Sequence, residues 1–393
     1  MRRRRAAGLL IGTALIGAAT VTPLAPTAAE ASAVAELSAS RGGPEARAEH
    51  LVATMSTAEQ AASVVMGHIP GTDAGALYDY MAQGLGGFIL MGANIPAADA
   101  ELAGLTDALV VDPDLPPLIA IDEEGGIVAR LPDDDFAAST VLKSSPTEAT
   151  ADAFLGRASL VARAGITVNF GTVADVTADS ASFIYGRALG TDPQGAADRV
   201  AAATEAQEGF LASTLKHFPG HGAAPGDSHH VIPSTGETLD QWRERDAVPF
   251  VAGIESGASL VMFGHLAYTS VDAAPASLSP RWHEILRDDL GFEGVAVTDD
   301  LGMLQSSGIA EYADPVATAV AALGAGNDLV LMIAGSTAAT AGELIAGITA
   351  AVDAGTLPAD RLAEAATRVL SLRLRLSAAQ ADWSLCPACA PAS

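Results

Sequence analysis

Short apolar runs alternate with longer amphipathic segments along most of the chain. Eight of the runs are rich in β-branched or other apolar residues and end in polar residues, glycine or proline, a pattern that predicts strands. The predicted strands are 62–66, 86–91, 118–121, 167–170, 213–217, 259–263, 294–298 and 328–333. The intervening segments repeat their apolar residues at helical spacing. Examples of the predicted helices are 74–81, 147–164, 193–211, 238–256, 313–325 and 358–376.

Eight strands, each followed by a helix, are typical of an α/β fold of the (β/α)8 TIM-type barrel class. We expect one such domain over residues 46–376. A doubly wound open sheet shows the same alternation and is the alternative. Because no G-x-G-x-x-G sequence follows a predicted strand, the dinucleotide site of that fold is not expected.

The two ends of the chain differ from this pattern. Residues 1–33 combine four arginines at 2–5, an apolar run at 6–21 and an A-x-A sequence at 31–33, which predicts a signal peptide and a secreted, extracytoplasmic protein. An uncleaved membrane anchor is the alternative, although the apolar run is short for a bilayer. Residues 34–45 are predicted to be a flexible lead-in. Residues 377–393 are predicted to be a C-terminal tail, in which Cys386 and Cys389 could form a small disulfide.

Composition narrows the choice of partners. The chain has 21 basic and 47 acidic residues, a formal net charge of −26, so we expect no attraction to nucleic acid and no stable membrane contact after signal cleavage. Hydrophobic residues make up 49% of the sequence, which is enough for a large core. Both cysteines lie in the predicted tail, so the fold is not expected to contain a disulfide framework. We expect a monomer.

Polar residues follow the predicted strands at their carboxyl ends. They are Asp122, Asn169, Lys216, His217, His265, Asp299 and Asp300. In a barrel these ends meet at one mouth, where active sites lie. Since buried charge is costly without a partner or a role, this placement predicts a reactive site.

Two regions of the sequence contain the candidate reactive residues with the most specific chemistry, a loop and a strand end. Asp227 and His229 lie in a glycine- and proline-rich loop, close enough for the carboxylate to fix the imidazole tautomer, which makes His229 a candidate general acid/base. The alternative is that these side chains cap the backbone of the loop. Asp299 ends a strand and is a candidate reacting carboxylate. It could instead cap the next helix, a role that Asp300 could also take.

The heptapeptide Lys-His-Phe-Pro-Gly-His-Gly at 216–222, followed by Asp-Ser-His at 227–229, resembles the β-N-acetylhexosaminidase branch of glycoside hydrolase family 3. Further matches stand in the same order along nearly the whole mature chain. They include Asp-Glu-Glu-Gly-Gly at 122–126, Val-Asn-Phe at 168–170, Pro-Ala-Ser-Leu-Ser at 275–279, Val-Thr-Asp at 297–299 and Gly-Ala-Gly-Asn-Asp at 324–328. Ile127 departs from the pattern, because arginine is common at this position.

The resemblance implies a retaining exo-β-N-acetylglucosaminidase with a single catalytic domain. It implies that Asp299 is the nucleophile, that His229 is the acid/base and that Asp227 orients His229. Five further residues are implied to hold the terminal N-acetylglucosamine: Asp122, Arg130, Arg187, Lys216 and His217. The expected substrate is an oligosaccharide or a muropeptide, and neither a metal nor an organic cofactor is expected. A histidine can replace the second carboxylic acid of a retaining glycosidase near neutral pH.

Three other functions stay open. A metal-dependent hydrolase would need an H-x-H pair after the first strand, where the sequence offers only His68. A phosphorylase on the same scaffold and a non-catalytic saccharide-binding relative are the other two.

Several aromatic residues outside these motifs have structural interpretations. We expect Trp242 and Trp282 to pack in the fold, His265 to support the pocket, and His68 and His283 to lie at the surface or rim.

Overall fold

The computed structural model describes residues 42–380, without the side chains of Asp99, Ala379 and Gln380. The predicted signal peptide, residues 34–41 of the predicted lead-in, and Cys386 and Cys389 lie outside the described residues. Within residues 42–380, every helix is too short or too polar to cross a bilayer.

Eight parallel strands form one sheet in the described part of the chain, and a separate pair forms a second. In chain order the strands are β1 Val65–Gly67, β2 Gly87–Ile89, β3 Leu118–Ile121, β4 Val168–Val173, β5 Ala212–Phe218, β6 Ser234–Thr235, β7 Leu260–Phe263, β8 Ala267–Tyr268, β9 Val295–Thr298 and β10 Val330–Leu331. The large sheet has the order β10-β1-β2-β3-β4-β5-β7-β9. A bridge between Val297 and Leu329 joins its two ends, so the sheet closes. The predicted (β/α)8 barrel is confirmed.

Helices surround the barrel. They are Pro44–Thr54, Thr57–Ser63, Ala74–Met81, Asp99–Ala108, Ser139–Leu142, Thr147–Arg163, Pro193–Gln207, Leu239–Glu244, Ala247–Glu255, Pro280–Glu284, Leu301–Ser306, Pro315–Ala325, Thr340–Asp353 and Ala359–Gln380. The first begins two residues inside the predicted lead-in, with a proline at its start. The last extends beyond residue 376 into the predicted tail.

Two predicted elements differ from the structure for local reasons. The predicted helix 238–256 is two helices, because Pro249 lacks an N–H and its ring would clash with the carbonyl of residue 245 in a continuous helix. The predicted strand 62–66 begins only at Val65. Ser56 and Glu59 form a capping box that starts a helix, and this helix extends to Ser63.

The last helix closes the end of the barrel that faces away from the strand carboxyl ends. Val369 and Leu372 pack into the same cluster as the apolar side chains of the barrel interior. Arg373 Nε donates to the carbonyl of Pro116 at 2.9 Å, just before β3 begins. Since this helix occupies the amino ends of the strands, the open mouth is at the carboxyl ends.

The aromatic residues are mostly buried. Trp242 and Trp282 are fully buried and contact each other edge to face, with ring centroids 4.9 Å apart, which confirms their packing role. The expectation for His283 is wrong, because its ring is buried and stacks on Phe263 at 3.8 Å. Burial lowers the pKa of His283 to about 4, so the ring is neutral. His68 is also buried rather than exposed at the surface.

Candidate active site

A pocket of about 270 Å³ opens at the carboxyl ends of the strands, and we call it the mouth pocket. Seven of the eight predicted site residues line it: Asp122, Arg130, Arg187, Lys216, His217, His229 and Asp299. The eighth, Asp227, contacts His229 from outside the lining. Residues that are up to 177 positions apart in the sequence thus meet because the strand ends converge.

Asp299 and Asp300 follow β9 and have different environments. Asp300 is saturated by backbone N–H groups, since Oδ1 accepts from Gly302 and Ile333 at 2.9 and 2.7 Å and Oδ2 accepts from Ala334 at 2.9 Å. It is the cap of the helix Leu301–Ser306. Asp300 therefore takes the capping role and leaves the carboxylate of Asp299 to face the pocket.

The electrostatic environment keeps Asp299 ionised. Burial raises the pKa of Asp299, but the Asp300 N–H, which donates to Oδ1 at 2.8 Å, and the charge of Lys216 oppose burial, and the net shift is downward. His265 supports the backbone next to Asp299, because its Nε2 donates to the carbonyl of Asp300 at 2.8 Å. The predicted supporting role of His265 is consistent with this contact.

His229 and Asp227 form the contact that their spacing predicts. His229 Nδ1 lies 2.6 Å from Asp227 Oδ1, which also accepts from the His229 backbone N–H at 3.0 Å. Partial burial raises the pKa of Asp227, but these hydrogen bonds outweigh it and the net shift is downward, so the carboxylate stays ionised. The side chains are 56% and 39% exposed, so the pair stands at the rim. With Nδ1 on Asp227, Nε2 is the nitrogen left for a proton transfer.

A buried ion network also lines the mouth pocket. Lys216 Nζ lies 2.8 Å from Asp122 Oδ1 and 2.7 Å from Glu124 Oε1. Arg187 binds the same Glu124 with two hydrogen bonds, of 2.9 Å from Nε and 2.7 Å from Nη2. Burial alone raises the pKa of Glu124, but Lys216 and Arg187 outweigh it and hold the pKa at about 2. The sequence analysis did not select Glu124, although it is one of three successive acids after a strand.

A tight turn brings Arg130 back toward Asp122. The N–H groups of Glu124 and Gly125 donate to the carbonyl of Val128, and Gly125 and Gly126 have φ of +86° and +69°, a conformation that favours glycine. Arg130 Nη2 then lies 3.7 Å from Asp122 Oδ2 and is 31% exposed. This distance leaves the guanidinium available for a ligand.

Asp175, which with Val176 also matches the family pattern, belongs to this site, although the sequence analysis assigned it no role. Its Oδ2 lies 2.7 Å from His217 Nδ1, and its Oδ1 accepts from the backbone N–H of His217 at 3.2 Å and of His221 at 2.5 Å. The predicted strand stopped at residue 170, whereas β4 continues to Val173. With the longer strand, Asp175 falls at a strand end and would have joined the candidates.

The partners of His217 fix its tautomer. Arg187 Nη2 lies 3.2 Å from His217 Nε2 and can only donate, so Nδ1 carries the proton and donates to Asp175. Burial lowers the pKa of His217 well below its ordinary value, and Arg187 lowers it further. His217 is therefore a neutral side chain held in one orientation.

The assembled site suits substitution at a carbon that bears an oxygen leaving group. The ionised carboxylate of Asp299 faces a pocket that has a histidine at its rim and that the ion network around Glu124 also lines. A carboxylate nucleophile and a separate acid are the two groups that a retaining glycosidase needs.

Comparison with known proteins gives the same assignment. The family model "Glycosyl hydrolase family 3 N terminal domain" matches residues 76–372. The chain is 38% identical over 245 residues to a beta-hexosaminidase of Xanthomonas oryzae pv. oryzae, covering 59% of this chain and 72% of the relative. It is 36% identical over 305 residues to a beta-hexosaminidase of Xanthomonas campestris pv. campestris, covering 72% and 90%.

Solved structures show the same fold. A family 3 beta-N-acetylglucosaminidase from Paenibacillus sp. matches with a TM-score of 0.77 and 27% identity over 83% of this chain, which spans 63% of that protein. A beta-N-acetylhexosaminidase from Beutenbergia cavernae matches with a TM-score of 0.72 and 26% identity, covering 81% of this chain and 98% of that one. The protein described here therefore belongs to glycosyl hydrolase family 3.

Proposed function

We propose that the protein is a retaining exo-β-N-acetylglucosaminidase that removes terminal β-linked N-acetylglucosamine from cell-wall or chitin-type saccharides. The family match and the beta-hexosaminidase relatives make it a glycoside hydrolase. The observation that carries the detailed proposal is the pairing of one ionised carboxylate in the mouth pocket, Asp299, with an exposed His229–Asp227 pair at its rim.

In this proposal Asp299 is the nucleophile. Its carboxylate attacks the anomeric carbon and forms a covalent glycosyl-enzyme intermediate as the bond to the leaving oxygen breaks. The low pKa of Asp299 keeps the attacking oxygen charged across the neutral range. Neighbouring Asp300 cannot substitute, because its oxygens already accept three backbone hydrogen bonds.

His229 supplies and removes the proton. Protonated at Nε2, it gives the proton to the departing oxygen in the first step, and in the second it takes a proton from the water that attacks the intermediate. Asp227 holds Nδ1–H, which orients the ring and stabilises its imidazolium form. The exposed position of the pair allows water and the leaving group to reach it.

The ion network and Arg130 bind the sugar. Asp122 can accept from two hydroxyl groups, while Arg130, Arg187 and Lys216 can donate to hydroxyl or carbonyl oxygens. Glu124 holds Lys216 and Arg187 in place, so the donors are oriented before substrate arrives. His217, fixed by Asp175, lines the same pocket.

The proposal also includes export. Residues 1–33 would direct the chain out of the cytoplasm and be removed, which would place the enzyme where peptidoglycan fragments and chitin oligosaccharides occur. Mass spectrometry of the protein recovered from culture medium tests this. A mature N-terminus near residue 34 supports the proposal, and recovery of uncleaved protein only in the cell fraction contradicts it.

Activity on a chromogenic N-acetyl-β-glucosaminide, set beside the matching β-glucoside, tests the function directly. We expect turnover of the first and little of the second, with release of N-acetylglucosamine in the β configuration. Product analysis with and without inorganic phosphate separates hydrolysis from phosphorolysis. Turnover of neither glycoside, or release of the α-anomer, contradicts the proposal.

A further inference from the structure

A second cleft, of about 360 Å³, lies beside the loop that carries His229, and we call it the loop cleft. One side is formed by Thr177, Asp179, Ser182 and Phe183 and the other by residues 222–227. It does not share a lining residue with the mouth pocket. The loop at 222–229 thus separates the two spaces.

The catalytic pair connects these two spaces. Asp227 lines the loop cleft, and its Oδ1 holds the ring of His229, which lines the mouth pocket. If Asp299 attacks from within the mouth pocket and His229 protonates the leaving oxygen, the leaving group must lie on the His229 side of the cleaved bond. The loop cleft is the described cavity next to that side.

We infer that the loop cleft receives the leaving-group saccharide and selects uncharged leaving groups over those that carry a carboxylate. This inference rests on the proposed function, and it adds a preference among its substrates. Neutral chitin-type saccharides are then better substrates than muramic-acid-containing ones, whose lactyl group is anionic.

Charge carries the argument for this preference. Asp179 is exposed, and none of the described residues that line the cleft is lysine or arginine. The charge of Asp227 is balanced by His229 when that ring is protonated to act as the acid, so Asp179 is the carboxylate that carries the argument. In water, a like charge about 6 Å away lowers binding about 3-fold. Asp179 therefore weakens binding of an anionic leaving group about 3-fold. The net charge of the whole chain, −26, acts in the same direction.

Apolar surfaces at the same place suit an uncharged sugar ring. Phe183 is partly exposed in the cleft, and its ring packs edge to face on buried His221 with centroids 4.6 Å apart. Ala223, Ala224 and Pro225 line the cleft as well. These surfaces can cover the C–H faces of a neutral pyranose without removing a charge from water.

The test compares two disaccharides that differ only in charge. Both carry N-acetylglucosamine β-linked to N-acetylmuramic acid, one with a free lactyl carboxylate and the other with that group as its amide. We expect kcat/KM for the amide to exceed that for the acid about 3-fold at low ionic strength. The ratio should fall as salt is added, because the Debye length is only about 10 Å at 0.1 M.

Variants locate the effect in the cleft. Asp179→Asn should reduce the amide-to-acid ratio about 3-fold, since the asparagine oxygen can still accept the N–H of Ala181 as the carboxylate does at 2.9 Å. Ala181→Lys should reduce it further. Asp353→Asn is the matched control, because it removes the same charge from an exposed residue at the end of the helix Thr340–Asp353.

The outcomes separate this inference from the proposed function. Equal rates for acid and amide at low salt, or an Asp179→Asn effect no larger than that of Asp353→Asn, overturn the inference while hydrolysis of the chromogenic N-acetyl-β-glucosaminide continues. Failure to hydrolyse that neutral chromogenic substrate overturns the proposed function instead.

Discussion

The carboxylate of Asp175 accepts hydrogen bonds from both the backbone N–H and the ring Nδ1–H of His217, although the two residues are 42 positions apart in the sequence. The carboxylate also accepts the N–H of His221. One buried acid therefore holds both the backbone at the start of the loop that carries His229 and the orientation of a ring that lines the mouth pocket. Burial raises the pKa of Asp175 to about 6, so above that pH the contact to His217 is a hydrogen bond to a charged acceptor.

Asp175→Asn should raise KM more than it lowers kcat. The amide is a weaker acceptor than the carboxylate for the two backbone N–H groups and the ring proton. Since a hydrogen bond to a charged group contributes about 1.5–3 kcal/mol, we expect a loss of about 10–100-fold in kcat/KM. Steady-state kinetics on the chromogenic glycoside measure the split. Asp272→Asn is the control, since Asp272 braces a different loop through Ser279 at 2.6 Å. A fall in thermal stability with unchanged KM in the folded fraction would assign Asp175 a structural role alone.

Asp299→Ala should reduce turnover by about 10⁴-fold or more and leave the fold intact, because the variant removes the reacting oxygen and breaks only a local hydrogen bond to the Asp300 N–H. A 2-fluoro sugar should label the parent enzyme at Asp299. Asp300→Ala gives the contrast, since it removes acceptors from three backbone N–H groups and should lower the melting temperature. Labelling at any other residue refutes the nucleophile assignment.

His229→Ala should slow substrates with poor leaving groups by about 10²–10⁴-fold and substrates with good ones far less. A departing oxygen of high basicity needs a proton, whereas a nitrophenolate leaves without one. A Brønsted plot over substituted phenyl glycosides measures the difference. His230→Ala is the matched control, because His230 is the exposed neighbour on the same loop. A uniform loss along the series would mean that His229 only positions the substrate.

Asp227→Asn should lower kcat/KM for substrates with poor leaving groups far more than for substrates with good ones. The amide keeps the shape of the loop but removes the negative charge that stabilises the imidazolium form of His229. Steady-state kinetics over substituted phenyl glycosides measure the difference. If Asp227 merely caps the N–H of His229, the asparagine oxygen does this nearly as well and the rates stay close to those of the parent.

Glu123 should make folding stability depend on pH. It is fully buried and faces Asp134, its Oε2 accepts the N–H groups of Arg130 and Leu131 at 2.9 Å, and burial together with Asp134 raises its pKa well above the ordinary value. The folded protein keeps this proton at pH values where the unfolded chain has released it. The free energy of unfolding therefore falls as pH rises above about 4.5.

Glu123→Gln removes this titration, because the amide is neutral and can donate to Asp134 as the protonated acid does. Between pH 5 and pH 8, the free energy of unfolding of the variant should rise by about 1 kcal/mol or more relative to that of the parent. Urea unfolding at both pH values measures the gain, with exposed Glu101→Gln as the control. A constant difference between parent and variant would mean that Glu123 is ionised in the folded state.

The sequence by itself determined the alternation of strands and helices and the residues that follow each strand. Apolar periodicity is local, so the barrel class and the end of the barrel that carries the site could be predicted from it. The Asp227–His229 contact was also predictable, because two residues of separation in one loop keep the side chains within reach. Exact boundaries were less predictable where a cap or a proline decided them, as at Ser56 and Pro249.

Only the tertiary structure decided which charges pair. Lys216 meets Asp122 across 94 residues, and Arg187 meets Glu124 across 63, and no local pattern specifies either partner. Such pairs depend on which strands become neighbours and on how far each strand extends, as the three residues beyond 170 in β4 show for Asp175. Once the barrel closes, the charged side chains at its mouth are largely removed from water, so their pKa values depend on the charged and hydrogen-bonding groups around them. Those neighbours decide which side chains stay ionised.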